Sequence, residues 1–108
     1  LYVINTDGTG EKALTDDTAW VQWGPYWHPD NRHIIYAAAD HATGGRPNYD
    51  LYWMDVETGA KERITHAPGA DVLPVFSPDA KQLMWTSNRD GRQPSQLWIA
   101  DFITPKKP

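Results

Sequence analysis

The feature that most constrains the fold of this chain is an internal repeat, with copies that begin 46 to 50 residues apart. The segment Leu1-Tyr2-Val3-Ile4-Asn5 recurs as Leu51-Tyr52-Trp53-Met54-Asp55 and again as Leu97-Trp98-Ile99-Ala100-Asp101. A second segment, Pro25-Tyr26-Trp27-His28-Pro29-Asp30, recurs as Pro74-Val75-Phe76-Ser77-Pro78-Asp79. Repeats of this length are typical of solenoids and propellers, whose units bury apolar surface against their neighbours. The 108 residues therefore hold slightly more than two units instead of one ordinary domain.

Each unit predicts four short β-strands. In the second unit the first two strands are Pro74 to Ser77 and Gln82 to Ser87. The third strand is Leu51 to Val56 in one unit and Leu97 to Phe102 in the next, and the fourth is Glu62 to Thr65. No segment has the i, i+3, i+4, i+7 spacing of an amphipathic helix, so we predict no helix.

The predicted strands are apolar on both faces, as Ile34-Ile35-Tyr36 and Leu83-Met84-Trp85 illustrate. A strand with one wet face alternates apolar and polar residues instead. Sheets buried on both sides must lie between other sheets, and the radial stacking of blades in a β-propeller provides this arrangement. A two-sheet sandwich would explain the strands but not the repeat, so the repeat favours the propeller.

The order of the motifs resembles the WD-like propeller repeat of the TolB-type family. The matching residues are Pro74 to Asp79, Lys81, Leu83-Met84-Trp85, Ser87 to Gly91 and Leu97 to Asp101. The resemblance covers nearly the whole chain and implies an all-β fold of four-stranded antiparallel meanders, about two and a quarter blades of a larger propeller.

The resemblance also implies a division of the chain. Residues 1–15 would be the third and outer strands of a preceding blade, and residues 16–65 a complete blade. Residues 66–108 would be the last blade without its outer strand, followed by a polar C-terminal tail. We expect this tail to be the true C-terminus of the protein. Two blade faces would then be open, so we expect either further blades of a longer parent or self-association.

Several repeat residues are expected to be structural. They are Pro29, Asp30, Ser77, Pro78, Asp79, Arg89 and Asp90. At the turn position where the family has glycine, this chain has Asn31 and Ala80, so both are expected to adopt a left-handed backbone. His28 replaces the usual serine of the same turn.

The sequence gives no support to catalysis or to a cofactor. The chain has no cysteine, which excludes disulfides, thiol nucleophiles and cysteine-ligated metals. No serine lies in a G-x-S-x-G motif, and the four histidines form no H-E-x-x-H motif. We therefore assign no catalytic residue, metal or cofactor. The net charge of −4 argues against a nucleic-acid partner, and no run of about 18 apolar residues suggests a membrane span.

The candidate binding residues lie in the joints that lead into the inner strands of the blades. They are Asp16, Asp17, Trp20, Trp23, His66 and Asp71. Joints of this type approach the mouth of the axial channel, and exposed aromatic residues are typical binding anchors. Two interpretations of Trp20 and Trp23 stay open, because they could also fill the gap between blades.

The favoured function is a non-catalytic scaffold that binds a protein, peptide or ligand at the joint surface. The TolB-type resemblance implies a periplasmic or otherwise exported setting. One alternative is the propeller domain of a prolyl-oligopeptidase-like serine peptidase. Another is a lyase or hydrolase that works in the channel, with His66 and Asp71 as its candidate residues.

Overall fold

A computed structural model describes residues 1–42, 47–89 and 94–105 of the chain. Within these ranges the chain forms nine β-strands, and no helix there is long and apolar enough to cross a membrane. The strands are β1 (Tyr2–Val3), β2 (Lys12–Ala13), β3 (Trp20–Trp27), β4 (His33–Asp40), β5 (Asp50–Asp55), β6 (Lys61–Arg63), β7 (Asp71–Phe76), β8 (Gln82–Ser87) and β9 (Gln96–Asp101).

The strands form three antiparallel sheets in chain order. The first sheet is β1-β2, the second is β3-β4-β5-β6 and the third is β7-β8-β9. Within each sheet, strands that are consecutive in sequence pair with each other, as in a meander. The predicted all-β class with antiparallel meanders is confirmed.

The inner strands β3 and β7 begin earlier than the sequence predicted. The register shifts between Trp23 and Tyr26 in β3 and between Val72 and Val75 in β7, so each strand contains a β-bulge. A bulge interrupts the alternation of side chains, and in both strands the bulge contains a proline, Pro25 or Pro74. The sequence predicted that the strand begins at that proline, whereas β7 begins at Asp71.

The two bulges are equivalent in the repeat and contact each other. Gly24 has φ of 65° and Leu73, 49 residues later, has φ of 55°. A Cβ built on Gly24 would lie 3.5 Å from Cδ2 of Leu73. Glycine suits the left-handed region, whereas a leucine there is strained by about 1–2 kcal/mol. Packing around the bulge of β7 must offset that strain.

The central strands β4 and β5 of the four-stranded sheet are buried on both faces, as the apolar triplets predicted. On one face it packs against the third sheet through the inter-sheet core: Ile35, Ala37, Leu51, Trp53, Phe76, Leu83 and Trp85. On the other face lies the hairpin core, in which Leu1 and Leu14 pack against Ile34, Tyr36, Ala38 and Met54. The β1–β2 hairpin and the third sheet therefore cover opposite faces of the four-stranded sheet.

The turns after the inner strands have the local chemistry that their sequence indicated. Asn31 and Ala80 have φ of 58° and 61°, so both are left-handed. Oδ1 of Asp30 accepts hydrogen bonds from the backbone N–H groups of residues 32 and 33. Asp79 accepts from Lys81 N and from the hydroxyl of Ser77. These carboxylates hold each turn by satisfying its backbone donors.

His28 occupies the position that Ser77 has in the next repeat, and its side chain bonds the turn in a different way. Its Nδ1 accepts a hydrogen bond from the backbone N–H of Asp30 at 3.1 Å. The ring also packs edge-on against Trp53 and Phe76. The substitution of serine by histidine therefore keeps the turn and adds an aromatic contact with the third sheet.

Candidate functional site

Trp20 and Trp23 were predicted to lie in the first joint, the segment that leads into β3. Both lie in β3 itself, on opposite faces of the sheet. The ring of Trp20 packs edge-on against Tyr52, 5.9 Å away, beside the hairpin core. The ring of Trp23 packs edge-on against Tyr49, 6.1 Å away, and keeps 40% of its surface exposed. The prediction that both lie in a joint loop is wrong, because β3 extends back through both of them to Trp20.

Trp23 belongs to an aromatic cluster at the end of the sheet where the joints lie. His41 follows β4, and its Nε2 lies 3.3 Å from the hydroxyl of Tyr49. The rings of His41 and Tyr49 meet at 72° with centroids 6.1 Å apart. The second joint is the loop between β6 and β7, and a β-bridge between Tyr49 and Ala70 brings it beside this cluster. We call Trp23, His41, Tyr49, Gly69 and Ala70 the joint patch.

The second joint is held to the sheets by side-chain amides. Oδ1 of Asn48 accepts from Gly69 N at 2.8 Å, and Oδ1 of Asn88 accepts from Ala70 N at 2.6 Å. The backbone of Tyr49 adds a hydrogen bond from its N–H to Gly69 O and receives one from Asp71 N. The loop therefore has a defined backbone conformation next to Trp23.

The structure corrects the predicted placement of Asp71. We expected this residue in a joint loop facing the channel, but it lies in β7 and is 1% exposed. Its carboxylate accepts a hydrogen bond from Ser87 Oγ at 2.5 Å and pairs with Nη2 of Arg89 at 3.2 Å. Because a buried carboxylate needs such partners, these contacts with Ser87 and Arg89 hold Asp71 within the third sheet.

Arg89 is the centre of the polar network that its motif predicted. Besides pairing with Asp71, its guanidinium lies 4.7 Å from the ring centre of Trp98 and 5.5 Å from that of Trp85. Arginine suits such a site because its planar charge can stack on aromatic faces while its N–H groups bond a carboxylate. Asp90, the other half of the predicted pair, lies outside the described residues.

A second buried carboxylate, Asp50, escaped the sequence-based reading. It accepts hydrogen bonds from Arg63, from Asn48 Nδ2 at 2.7 Å and from Thr65 Oγ1 at 3.4 Å. Burial raises the pKa of Asp50, and the Arg63 guanidinium opposes that effect. The repeat gave no signal for this residue, since the equivalent position in the next unit is Gln96.

The other joint residues are exposed. Asp16, Asp17 and His66 all lie at the surface. Oδ1 of Asp17 accepts a hydrogen bond from Ala19 N at 3.0 Å, which closes the turn before β3. Within the described ranges, no group of three or more histidine and acidic residues could hold a metal ion.

A cavity of about 270 Å³ lies on the hairpin-core side of the four-stranded sheet. Its lining residues come from all four strands and the first joint: Asp17, Trp20, Gln22, Tyr36, Ala38, Tyr52 and Lys61. Burial raises the pKa of Tyr36 to about 12, so its hydroxyl stays protonated at physiological pH. The cavity lies beside the β1–β2 hairpin and on the opposite face from Trp23.

Comparisons with known proteins find relatives of low identity that are longer than this chain. The chain is 32% identical over 101 residues to an uncharacterised protein of Agrobacterium fabrum, a match that covers 91% of this chain and 30% of that protein. It is 34% identical over 88 residues to dipeptidyl-peptidase 5 of Porphyromonas gingivalis, covering 75% and 13%. It is 28% identical over 104 residues to the Tol-Pal system protein TolB of Francisella tularensis, covering 96% and 23%.

Comparison with a solved structure supports the same fold. The chain superposes on TolB of Acinetobacter baumannii with a TM-score of 0.73 at 24% identity, over 95% of this chain and 24% of that one. No protein-family model matches the chain. The resemblance to TolB-type repeats is confirmed, and the fold is that of part of a TolB propeller. The chain spans between 13% and 30% of the length of the curated relatives described above.

Proposed function

We propose that this chain, a TolB-like β-propeller region, is a non-catalytic scaffold that binds a protein or peptide at the joint patch. The observation that carries the proposal is the 40% exposure of Trp23 in an inner strand. Tryptophan and tyrosine are enriched among the residues that dominate binding energy at interfaces. A large aromatic side chain left open at the end of a packed sheet is a suitable anchor for a partner.

The backbone around Trp23 supports this proposal. Asn48 and Asn88 hold the second joint through hydrogen bonds of 2.8 and 2.6 Å to its backbone N–H groups. Tyr49 packs against both Trp23 and the inter-sheet core. A partner would therefore meet a preformed surface, and binding would cost little conformational entropy in the scaffold.

The relatives suggest where such a scaffold would work. Proteins that match 96% of this chain are named for the Tol-Pal system, and TolB-type resemblance implies the periplasm or another exported setting. The acidic net charge of −4 favours a protein or peptide partner over nucleic acid. We propose a partner in the cell envelope.

One alternative has an observation in its favour. The 34% identity to dipeptidyl-peptidase 5 supports a propeller region that accompanies a peptidase. In that case the joint patch would present a peptide substrate, while the catalytic residues would belong to another part of the enzyme. The two candidates share the patch and differ in whether the full protein cleaves what it binds.

The test uses two tryptophans of β3 that are matched in exposure. Trp23 is 40% exposed at the joint end, and Trp27 is 44% exposed at the opposite end. Peptides selected by the purified chain from a phage-displayed random library would be synthesised and titrated by calorimetry. We expect Trp23→Ala to weaken binding about 30-fold, the loss that corresponds to a hot spot of ~2 kcal/mol. Trp27→Ala should leave the affinity unchanged.

Two results would contradict the proposal. One is the failure of the library to give any peptide that binds the chain in solution. The other is an equal loss of affinity in both tryptophan variants, which would show that Trp23 is not the anchor. Cleavage of a dipeptidyl-nitroanilide by the purified chain would separately contradict its non-catalytic assignment.

A further inference from the structure

Asn48 connects a buried carboxylate to the second joint. Its Nδ2 donates a hydrogen bond to Oδ2 of Asp50 at 2.7 Å, and its Oδ1 accepts one from Gly69 N at 2.8 Å. Asp50 lies in β5 and is 2% exposed, whereas Gly69 belongs to the joint patch. One side-chain amide therefore bridges the interior of the four-stranded sheet and the proposed binding surface.

The two partners of Asn48 fix the orientation of its amide. A side-chain amide has an oxygen that accepts hydrogen bonds and a nitrogen that donates them. An ionised carboxylate only accepts, and a backbone N–H only donates. The nitrogen must therefore face Asp50 while the oxygen faces Gly69. Turning the amide over would bring two donors together at Gly69, so Asn48 holds the joint only while Asp50 accepts its hydrogen bond.

The surroundings of Asp50 allow its charge to change. Arg63 of β6 pairs with the carboxylate, and Oγ1 of Thr65 lies 3.4 Å from its Oδ1. The opposite residue of β4 is the uncharged Ala38, and Asp71 of β7 contributes a second negative charge. Burial raises the pKa of Asp50 and the charge of Asp71 adds to this effect, whereas the Arg63 guanidinium opposes it. The net direction is upward, so Asp50 takes up a proton more readily than an exposed aspartate does.

Two other charged or titratable groups complete this environment. Arg89 pairs with Asp71 at 3.2 Å and partly neutralises that neighbouring charge. Tyr52, two residues along β5, has its pKa raised by burial, and the charge of Asp50 adds to the increase. Tyr52 is therefore uncharged throughout the acidic range, and Asp50 titrates against a constant background.

The turns after the inner strands keep their charges when Asp50 becomes neutral. Partial burial would raise the pKa of Asp30, but hydrogen bonds lower it to about 2. The Ser77 hydroxyl lowers the pKa of Asp79. Because the pKa of Asp50 is raised in the folded state, protonating this group stabilises the folded chain relative to the unfolded one. A change of charge at Asp50 in mild acid is therefore compatible with an intact fold.

We propose that Asp50 and Asn48 form a charge-sensitive relay that orders or releases the second joint. While the carboxylate is ionised, it fixes the Asn48 amide, and Asn48 holds Gly69. A protonated Asp50 offers Asn48 a donor or an uncharged acceptor, and hydrogen bonds to an ionised acceptor are roughly twice as strong as those to a neutral one. The joint is therefore ordered near neutral pH and released in mild acid.

Release of Gly69 would regulate the joint patch, a consequence that rests on the proposed function. Gly69 O accepts a hydrogen bond from Tyr49 N at 3.1 Å. The ring of Tyr49 in turn packs edge-on against Trp23. Loss of order at Gly69 thus reaches the proposed anchor through one intervening residue, and peptide affinity should decrease in mild acid.

Amide hydrogen exchange tests the relay without any partner. Isotopic labelling of glycine, alanine and aspartate lets NMR follow the N–H groups of Gly69 and Ala70 and the carboxyl group of Asp50. Between about pH 7 and about pH 3, we expect the protection of Gly69 N–H, corrected for intrinsic exchange, to fall about tenfold. Its midpoint should coincide with the titration of Asp50. Ala70 N–H, which bonds to Asn88 instead, should change much less.

Variants separate the relay from a general effect of acid. Asp50→Asn removes the charge and keeps the shape, so Gly69 N–H should have its low protection at every pH. Asn48→Ala removes the relay at an exposed position and should abolish the pH dependence, even if Asp50→Asn does not fold. Asp79→Asn is the matched control, since this exposed carboxylate lies in the turn between β7 and β8 and its loss should leave the profile unchanged.

Three results would overturn the relay. They are a Gly69 profile that stays flat in the folded wild type, a profile that survives Asn48→Ala, and a midpoint that differs from that of Asp50. A different result would count against the proposed function alone. If Gly69 responds as expected while the affinity for the selected peptides stays constant with pH, the relay exists and the peptides bind elsewhere.

Discussion

Replacing Gly69 with alanine tests how tightly the second joint is built. Gly69 has φ of +106°, a conformation that residues with a side chain rarely adopt. A Cβ at this position would lie 2.6 Å from Oδ1 of Asn88 and 3.2 Å from its carbonyl oxygen. The same Oδ1 accepts the hydrogen bond from Ala70 N at 2.6 Å. The methyl group therefore collides with the atom that holds the loop.

The expected loss has two parts. The backbone strain of a left-handed alanine costs about 1–2 kcal/mol, from which about 0.4–1 kcal/mol is recovered because alanine restricts the unfolded chain. Displacing the Asn88 side chain leaves the half-buried Ala70 N–H unpaired, which costs about 1–3 kcal/mol. We expect Gly69→Ala to lower the free energy of unfolding by roughly 2–4 kcal/mol.

Gly59 provides the control. Its φ is +79°, and no atom lies within 4 Å of the position that its Cβ would take. Gly59→Ala therefore has the backbone strain without the collision, and it should cost only about 1 kcal/mol. Urea titration of both variants, followed by tryptophan fluorescence at fixed protein concentration, measures the difference. Equal losses in the two variants would refute the reasoning, because the contact with Asn88 would then carry no energy.

Two further predictions concern the turns after the inner strands. Ala80→Gly should be neutral or raise the free energy of unfolding by up to about 1 kcal/mol, because φ of 61° strains alanine; a clearly lower melting temperature would contradict this. Partial burial alone would raise the pKa of Asp30, but hydrogen bonds from Arg32 N and from the backbone and ring of His33 outweigh it and lower the pKa from 3.8 to about 2. Since the folded pKa lies below the unfolded one, this carboxylate stabilises the fold above about pH 4, and the effect disappears as the pH falls to about 2. Urea midpoints measured across that window should fall more steeply in the wild type than in Asp30→Asn, and parallel profiles would show that the turn does not hold the carboxylate.

The repeat alone determined most of the fold. Its spacing predicted the number and order of the strands and the antiparallel meander, because each unit carries its own strand and turn signals. The left-handed backbone at Asn31 and Ala80 also followed from the family resemblance, which places glycine at that position of the turn. Features that depend on short stretches of chain were accessible without a structure.

The candidate site was harder to predict from the sequence, because it depends on residues that meet across the sheets. Trp23 and Trp20 share one segment of sequence, yet they lie on opposite faces, and the bulge that contains Gly24 disrupts the alternation of side chains beyond them. Asp71 lies beside the joint in sequence, but Ser87 and Arg89, 16 and 18 residues later, enclose its carboxylate. Neither outcome has a signal in the local pattern.

The sequence by itself thus determined a stack of repeated sheets that are apolar on both sides. Only the tertiary structure decided which of those apolar faces find a partner within the chain and which stay open. The physical reason is that burial is a property of pairs of surfaces. Leu51 and Leu97 occupy the same position in the repeat. The third sheet covers Leu51 completely, whereas Leu97 is 70% exposed among the described residues.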